Sequence, residues 1–209
     1  MLPGSAAADR FWSLENKLLH FDKFEPELLA IEVNSSAASS LSDCDTHSQT
    51  ALLVAEMHLA EAALRKGELR DFEVYSQSME SRSKRVLSCA PRSSYVWLLA
   101  FSLELLHGRL DQQTFALLAM SYDTSPNEAW ISIRRNIVAT PLVLIVPQPL
   151  QSRILSEFQQ LIRNGFQDEA ARSYLSASTA IRALLQTKIE QLEPSSQKRL
   201  SDAITRSKL

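Results

Sequence analysis

The most specific chemical motif in the sequence is a glutamate followed three residues later by a histidine, Glu104 and His107. On a helix this spacing places both side chains on one face, and two such motifs with two further glutamates bind a pair of metal ions inside a helical bundle. The chain contains no second motif of this kind, and His58-x-x-Glu61 runs in the opposite order. The sequence therefore predicts no metal site.

Other catalytic patterns do not single out any residue. The chain has no glycine loop for phosphate, no nucleophile elbow and no zinc-protease motif. Carboxylates that hydrolyse sugars meet only in space, and nothing in the sequence selects a pair. Two cysteines, Cys44 and Cys89, are too few for a zinc site, and whether they pair is left open. We predict no catalytic residues and no cofactor.

The composition favours a soluble helical protein. Of 209 residues, 45% are hydrophobic and 22% are charged, and only 4 glycines are available for tight turns between strands. The longest apolar run, Ile137–Leu150, contains three prolines and is too short to cross a bilayer. The N-terminus lacks the apolar region of a signal peptide. We expect the envelope or periplasmic side if an N-terminal anchor has been trimmed, and the cytoplasm otherwise.

Basic residues form two local clusters although the net charge is −2. Arg82, Lys84 and Arg85 form one cluster, and Arg134 and Arg135 form the other. Such clusters are usually solvated helix faces, so a nucleic-acid partner is not expected. If they have a binding role, Arg82, Arg85, Arg134 and Arg135 are the candidates for contact with a partner. The alternative function is a helical ligand- or nucleic-acid-binding module that uses this basic patch.

Apolar residues recur at helical spacing along most of the chain. Three parts are predicted: an N-terminal helical cap with a serine-rich linker (1–47), a helical repeat domain (48–192) and a basic C-terminal tail helix (193–209). The segment 94–107 is apolar nearly all round and is predicted to be the central helix. Predicted helices cover approximately 8–21, 26–33, 48–66, 69–89, 94–107, 126–140, 149–164, 167–192 and 195–209, and a further helix after Asp111 carries Phe115, Leu118, Ala119 and Tyr122.

Local signals predict where several helices begin and end. Gly67 and Gly108 supply the left-handed residue that ends a helix, and Asp111 is a predicted N-cap. Residues 125–128 (SPNE) match a capping box with proline at the first helical position, so a helix is predicted to begin there. The aromatic residues of these helices are predicted to lie in the core. They are Trp97, Phe101, Tyr122 and Trp130.

The spacing of these signals resembles a tetratricopeptide (TPR) repeat. Trp97 and Trp130 are 33 residues apart, Gly108 follows Trp97 at the turn, and Pro126 precedes the next unit. The stretch 94–126 thus resembles one degenerate TPR unit, and 52–91 resembles a longer one. This predicts an all-α fold of antiparallel helix pairs stacked as a short TPR-like α-solenoid, with a concave surface lined by the first helices.

A second resemblance concerns residues 125–163, which contain SPNEAWISIRRN and VPQPLQSRILSEFQQLIR. They are similar to the small TPR-like proteins associated with bacterial exopolysaccharide biosynthesis and export, the VpsP type, over roughly residues 50–165. The resemblance implies a non-catalytic scaffold beside glycosyltransferases or an export complex at the cell envelope. The expected partner is another protein, and family members commonly carry an N-terminal membrane anchor.

Overall fold

The computed structural model describes Phe11 and residues 25–207. In these residues the chain forms helices joined by turns and short loops, and it forms no strand. The predicted helix at 8–21 lies outside the described residues except for Phe11, which is buried. The helices are α1 (Pro26–Val33), α2 (Ser36–Ser39), α3 (Thr46–Lys66), α4 (Leu69–Cys89), α5 (Ser94–Leu106), α6 (Gln112–Thr124), α7 (Ala129–Ala139), a 3-10 turn (Thr140–Leu142), α8 (Gln148–Arg163), α9 (Gln167–Ser176), α10 (Thr179–Ile189) and α11 (Pro194–Arg206). The all-α class predicted from the sequence is confirmed.

The chain divides into two compact units, Met1–Thr124 and Ser125–Leu209. The division differs from the predicted one, because the proposed repeat domain 48–192 crosses the boundary at Thr124. The tail helix α11 belongs to the second unit, where it packs against α9. Within the first unit, Gln49 Nε2 donates to the carbonyl of Ser42 at 3.1 Å and connects the serine-rich stretch to α3.

Helix α3 is the most enclosed element of the first unit. Every residue from 48 to 57 is buried, and α1, α4 and α5 all pack against the helix. Small side chains such as Ala51 and Ala55 allow neighbouring helices to approach it closely. The predicted central helix 94–107 packs against α3, α4 and α6, although Trp97, Leu105 and Leu106 of α5 are only partly buried.

The first unit consists mainly of two helix hairpins. Helix α3 pairs with α4 and α5 pairs with α6, and α5 also contacts both helices of the first hairpin. Gly67 and Gly108 end α3 and α5 with φ of +76° and +72°, as their positions predicted. Between α5 and α6, the Ser94 hydroxyl donates to the carbonyl of Ser121 at 2.7 Å, and Phe101 is fully buried.

The second unit is built on α8, whose apolar stripe is buried as predicted. Helices α7, α9, α10 and α11 pack on or around α8. The stripe residues are Leu150, Ile154, Phe158, Leu161 and Ile162. The predicted single helix over 167–192 is wrong, because the chain turns at Ala177 and Ser178 caps a new helix by accepting a hydrogen bond from Ile181 N at 3.4 Å.

The predicted capping box at residues 125–128 is also wrong. Helix α7 begins at Ala129, and its N-cap residue Glu128 makes no side-chain capping bond. The hydroxyl of Ser125 is buried without a hydrogen-bond partner, while its carbonyl accepts from both terminal nitrogens of Arg135 at 3.3 Å. A tertiary contact to a buried guanidinium therefore overrides the local capping preference.

We expect Phe101→Ala to lower the free energy of unfolding of the first unit by about 3–5 kcal/mol, because it removes a fully buried aromatic ring between packed helices. Urea unfolding followed by circular dichroism measures the change. The matched control is Val74→Ala on α4, which is 58% exposed and should change stability by less than about 0.5 kcal/mol. Equal effects of the two substitutions would contradict the packing described for α5.

The stability of the first turn of α6 should depend on pH, because Asp111, the predicted N-cap, bonds this turn through a titratable carboxylate. Asp111 Oδ1 accepts from Thr114 N at 2.8 Å and from Thr114 Oγ1 at 3.0 Å, and the backbone bond is the main reason that the pKa of this carboxyl is lowered. A lowered carboxyl pKa stabilises the fold above the unfolded pKa of about 3.9, and this stabilisation is lost as pH falls through the folded pKa.

The test compares the wild type with Asp111→Asn, which keeps a capping oxygen and removes the titration. Amide exchange at the first turn of α6 should increase below about pH 4 in the wild type only. The two chains should behave alike at neutral pH. Identical acid sensitivity in both would show that Asp111 is not the group responsible.

Candidate functional site

Arg82, one of the four predicted partner-binding residues, is buried inside the α3–α4 hairpin. Its Nε lies 3.1 Å from Oε2 of Glu56 and its Nη2 lies 2.9 Å from Oε1, and Glu56 has no exposed surface. The Ser78 hydroxyl also donates to Glu56, at 2.7 Å, and Arg82 Nη1 donates to the side-chain oxygen of Gln49. The network continues through Gln49 to the carbonyl of Ser42. Arg82 is thus an internal residue of the unit.

The other basic residues of this cluster lie at the surface and face carboxylates. Lys84 Nζ donates to Glu80 at 2.6 Å, and this bond is the main cause of the lowered pKa of Glu80. Arg85 is half-buried, and its Nε lies 3.2 Å from Oδ1 of Asp43 in an ion pair that lacks hydrogen-bond geometry. Each basic residue of the cluster therefore has an acidic neighbour within the first unit.

Arg135 occupies an equivalent internal position in the second unit. It has no exposed surface, and its Nε donates to Oε1 of Glu157 on α8 at 2.9 Å. The guanidinium also bonds the carbonyl of Ser125, so one side chain connects α7, α8 and the segment before α7. Asn136 beside it donates to the carbonyl of Ile154 at 3.4 Å. Arg135 holds the unit together and is not accessible to a partner in this conformation.

The buried side of helix α7 carries polar side chains beside the apolar Ile131 and Ala139. Ser132, Arg135 and Asn136 are buried, whereas Ile133 and Arg134 are partly exposed and Trp130 is 42% exposed. The prediction that Trp130 lies in the core is wrong, while Phe101 and Tyr122 are buried as predicted. Trp97 is half-buried and donates from Nε1 to the carbonyl of Pro91 at 2.8 Å.

The four predicted binding residues differ in burial and are divided between the two units. Arg82 and Arg85 belong to the first unit and Arg134 and Arg135 to the second. The prediction that Arg82 and Arg135 contact a partner is wrong, because both side chains are buried in ion pairs. A sequence signal for Arg82 existed in Glu56, which interrupts the otherwise apolar run 51–57 and has to be neutralised if that helix is enclosed. Arg85 and Arg134 keep partly exposed side chains.

Cys44 and Cys89 form a disulfide, which the sequence had left undecided. Cys44 directly precedes the N-cap residue of α3, and Cys89 is the last residue of α4. The two Cα atoms are 5.4 Å apart, and 45 positions separate the residues along the chain. The bond therefore joins the two helix ends that lie opposite the Gly67 turn of the hairpin.

Both side chains of the Glu104–His107 motif contact other residues of the protein. The carboxylate of Glu104 pairs with Arg109, and the ring of His107 packs edge-on against Phe72 with centroids 5.2 Å apart. Among the described residues no three histidine, cysteine or acidic side chains are grouped so that they could hold a metal ion. The motif is explained by these contacts near the end of α5.

An open pocket of about 140 Å³ lies between α1 and the Gly67 end of the α3–α4 hairpin. Glu27, Glu68 and Asp71 contribute carboxylates to its lining, and Lys66 contributes the one basic group. Tyr75 also lines this pocket. Burial raises the pKa of its phenol, and the negative charges of Asp71 and Glu68 raise it further. The phenol stays protonated at neutral pH, and the excess of carboxylates disfavours an anionic ligand in this pocket.

Comparison of the chain with protein-family models, curated proteins and solved structures finds no significant match. The similarity to TPR and VpsP-type proteins therefore stays a prediction from the residues quoted above. Within the described part of the chain, no helix has both the length and the apolarity that a bilayer span requires.

Glu157→Gln should lower the free energy of unfolding of the second unit by about 3–5 kcal/mol, because it removes the buried carboxylate that bonds the guanidinium of Arg135. The double variant Arg135→Met with Glu157→Leu should recover most of this loss, since it removes both charges. Urea unfolding of the three chains measures the effect.

The matched control is Asp168→Asn, which breaks the exposed pair in which Arg206 Nη2 lies 2.7 Å from Asp168 in the same unit. An exposed pair contributes about 0–1 kcal/mol, so the control should remain close to wild type. A Glu157→Gln chain that is as stable as this control would refute the assigned role of the buried pair.

Proposed function

We propose that this chain is a non-catalytic helical-repeat adaptor that binds another protein and works with the polysaccharide biosynthesis or export machinery of a bacterial envelope. The observation that carries the adaptor proposal is the packing of the first unit, in which α5 contacts both α3 and α4 as well as its own partner α6. Helix pairs that bury their second face on the next pair are typical of repeat proteins, whose usual role is protein binding.

The finer architecture belongs to the same proposal. The hairpins α3–α4 and α5–α6 would be successive units of a short TPR-like stack, with α3 and α5 as the first helices. Because α1 packs on α3, the surface that α3 would line in an open stack is already covered in part. A partner would then contact the neighbouring residues that keep exposed side-chain atoms, among which Arg85 is a candidate in the first unit and Arg134 in the second.

The disulfide supports the envelope part of the proposal. Disulfides persist in oxidising compartments such as the bacterial periplasm and are rare in the cytosol. The Cys44–Cys89 bond favours the extracytoplasmic side over the cytoplasmic alternative. The resemblance of residues 125–163 to VpsP-type proteins supplies the polysaccharide context.

The alternative, a ligand- or nucleic-acid-binding module, receives less support. Its basic patch would use Arg82, Lys84 and Arg85, but Arg82 is buried against Glu56 and the other two have acidic neighbours. A footprint for a polyanion requires uncompensated positive charge along one face. The local neutralisation of this cluster is the reason that we place the adaptor first.

The test is affinity capture of the full chain after site-specific cross-linking, in a bacterium that carries a complete exopolysaccharide biosynthesis operon. We expect the wild type to capture a glycosyltransferase or export protein of the envelope. Arg134→Glu should reduce this capture about tenfold or more if the arginine meets an acidic contact. The control is Arg172→Glu on α9, an exposed arginine of the same unit that the proposal does not use.

Two results would contradict the proposal. One is capture that never enriches an envelope protein although the chain is folded and exported. The other is salt-dependent binding to a DNA oligonucleotide that is lost on charge reversal of Lys84 and Arg85, which would support the alternative module. Equal loss of capture with Arg134→Glu and Arg172→Glu would leave the adaptor role intact and remove Arg134 from it.

A further inference from the structure

The α3–α4 hairpin is closed at both ends by different means. At one end Gly67 makes the turn between the helices, and at the other the Cys44–Cys89 disulfide joins the residue before the N-cap of α3 to the last residue of α4. The buried Glu56–Arg82 pair lies between these ends. The polar network from this pair runs through Gln49 toward the disulfide and ends at Ser42, two residues from Cys44.

Three polar contacts hold the segment beside the disulfide to α3 and α4. They are the hydrogen bond from Gln49 Nε2 to Ser42 O at 3.1 Å, the Asp43–Arg85 ion pair at 3.2 Å, and the cap in which Asp45 Oδ1 accepts from Ser48 N at 3.2 Å. Other bonds are local to the segment, such as that from Asp45 N to Ser42 O at 3.1 Å. The ion pair is at the surface and contributes about 0–1 kcal/mol. The covalent bond is therefore the main restraint on this end of the hairpin.

A reductant can reach the disulfide. Cys44 is exposed and Cys89 is half-buried, so a thiolate can approach the sulfur of Cys44 from solvent. Attack forms a mixed disulfide and releases the thiolate of Cys89, and a second thiol of the reductant then displaces Cys44. The net change is that the protein disulfide takes up two electrons and two protons to give two thiols, while the dithiol becomes a disulfide.

We infer that the Cys44–Cys89 bond is a redox-sensitive clasp for the α3–α4 hairpin. In the oxidised chain it holds Ser42 and Asp43 against α3 and α4 and excludes water from the Glu56–Arg82 pair. On reduction by a dithiol the segment 40–45 separates from the end of α4, and the last turn of α4 opens to solvent. The α5–α6 hairpin remains folded, because the Ser94–Ser121 hydrogen bond and the buried ring of Phe101 between its helices do not depend on the disulfide.

The clasp is tested by hydrogen–deuterium exchange and mass spectrometry on the full chain, with and without dithiothreitol. Reduction should accelerate amide exchange in residues 40–50 and 82–90 by about tenfold or more and leave residues 96–122 within about twofold. Reoxidation should restore the original rates. The double variant Cys44→Ser with Cys89→Ser should show the reduced pattern under both conditions.

A matched variant distinguishes the effect of the disulfide on amide exchange from the effect of the neighbouring ion pair. Asp43→Ala removes the ion pair to Arg85 and keeps the sulfur bond, so its exchange pattern should stay near that of the oxidised wild type. The inference is overturned if thiol labelling of the chain purified without reductant finds two free cysteines. It is also overturned if reduction leaves exchange at 40–50 and 82–90 unchanged, or accelerates it equally across the first unit. None of these readouts depends on the adaptor's partner.

Discussion

The structure depends most on neutralising charge in places where water cannot reach. Glu56 has no exposed surface, and an isolated carboxylate in such a position would destabilise the first unit by several kcal/mol. Arg82 supplies the counter-charge from the opposite helix, and Arg135 with Glu157 repeats the arrangement in the second unit. In each unit the ion pair joins two helices, and the paired residues are 26 positions apart in the first unit and 22 in the second. Sliding either helix by one turn would bury both charges without partners, so these pairs fix the register in which the apolar stripes meet.

The helices themselves could be predicted from the sequence, because their signals are local. The apolar spacing along α8 and the glycines at 67 and 108 depend only on neighbouring residues, and these predictions are confirmed. The wrong predictions are those in which a residue far away in the sequence determines the local structure. Ser125 resembles a capping residue, but its carbonyl binds Arg135, and the helix begins four residues later. The paired arginines at 134 and 135 look alike in the sequence, yet one is buried and one is partly exposed, since neighbouring positions on a helix point about 100° apart.

The same reasoning limits what could be learned about the candidate site. A basic cluster in a sequence predicts a positive surface only if no carboxylate folds against it, and Glu56, Glu80 and Asp43 all do so here. Two of these three lie more than 20 residues from the arginine they meet, so no local pattern reveals the pairing. In the first unit two hairpins pack against each other, and in both units charged interior residues serve the fold. The proposed binding role therefore rests on the outer side chains, among them Arg85 and Arg134.

The position of the disulfide also determines how the chain would respond to proteolysis. Gly67 and the Cys44–Cys89 bond lie at opposite ends of one hairpin, so the backbone from Cys44 to Cys89 forms a closed covalent ring. A single cut by a protease at the Gly67 turn would open this ring without releasing a fragment. The two pieces would migrate together on a gel until a reductant is added, and the nicked protein would keep α3 and α4 side by side. A protein with this connectivity tolerates backbone damage at the exposed Gly67 turn while it remains oxidised.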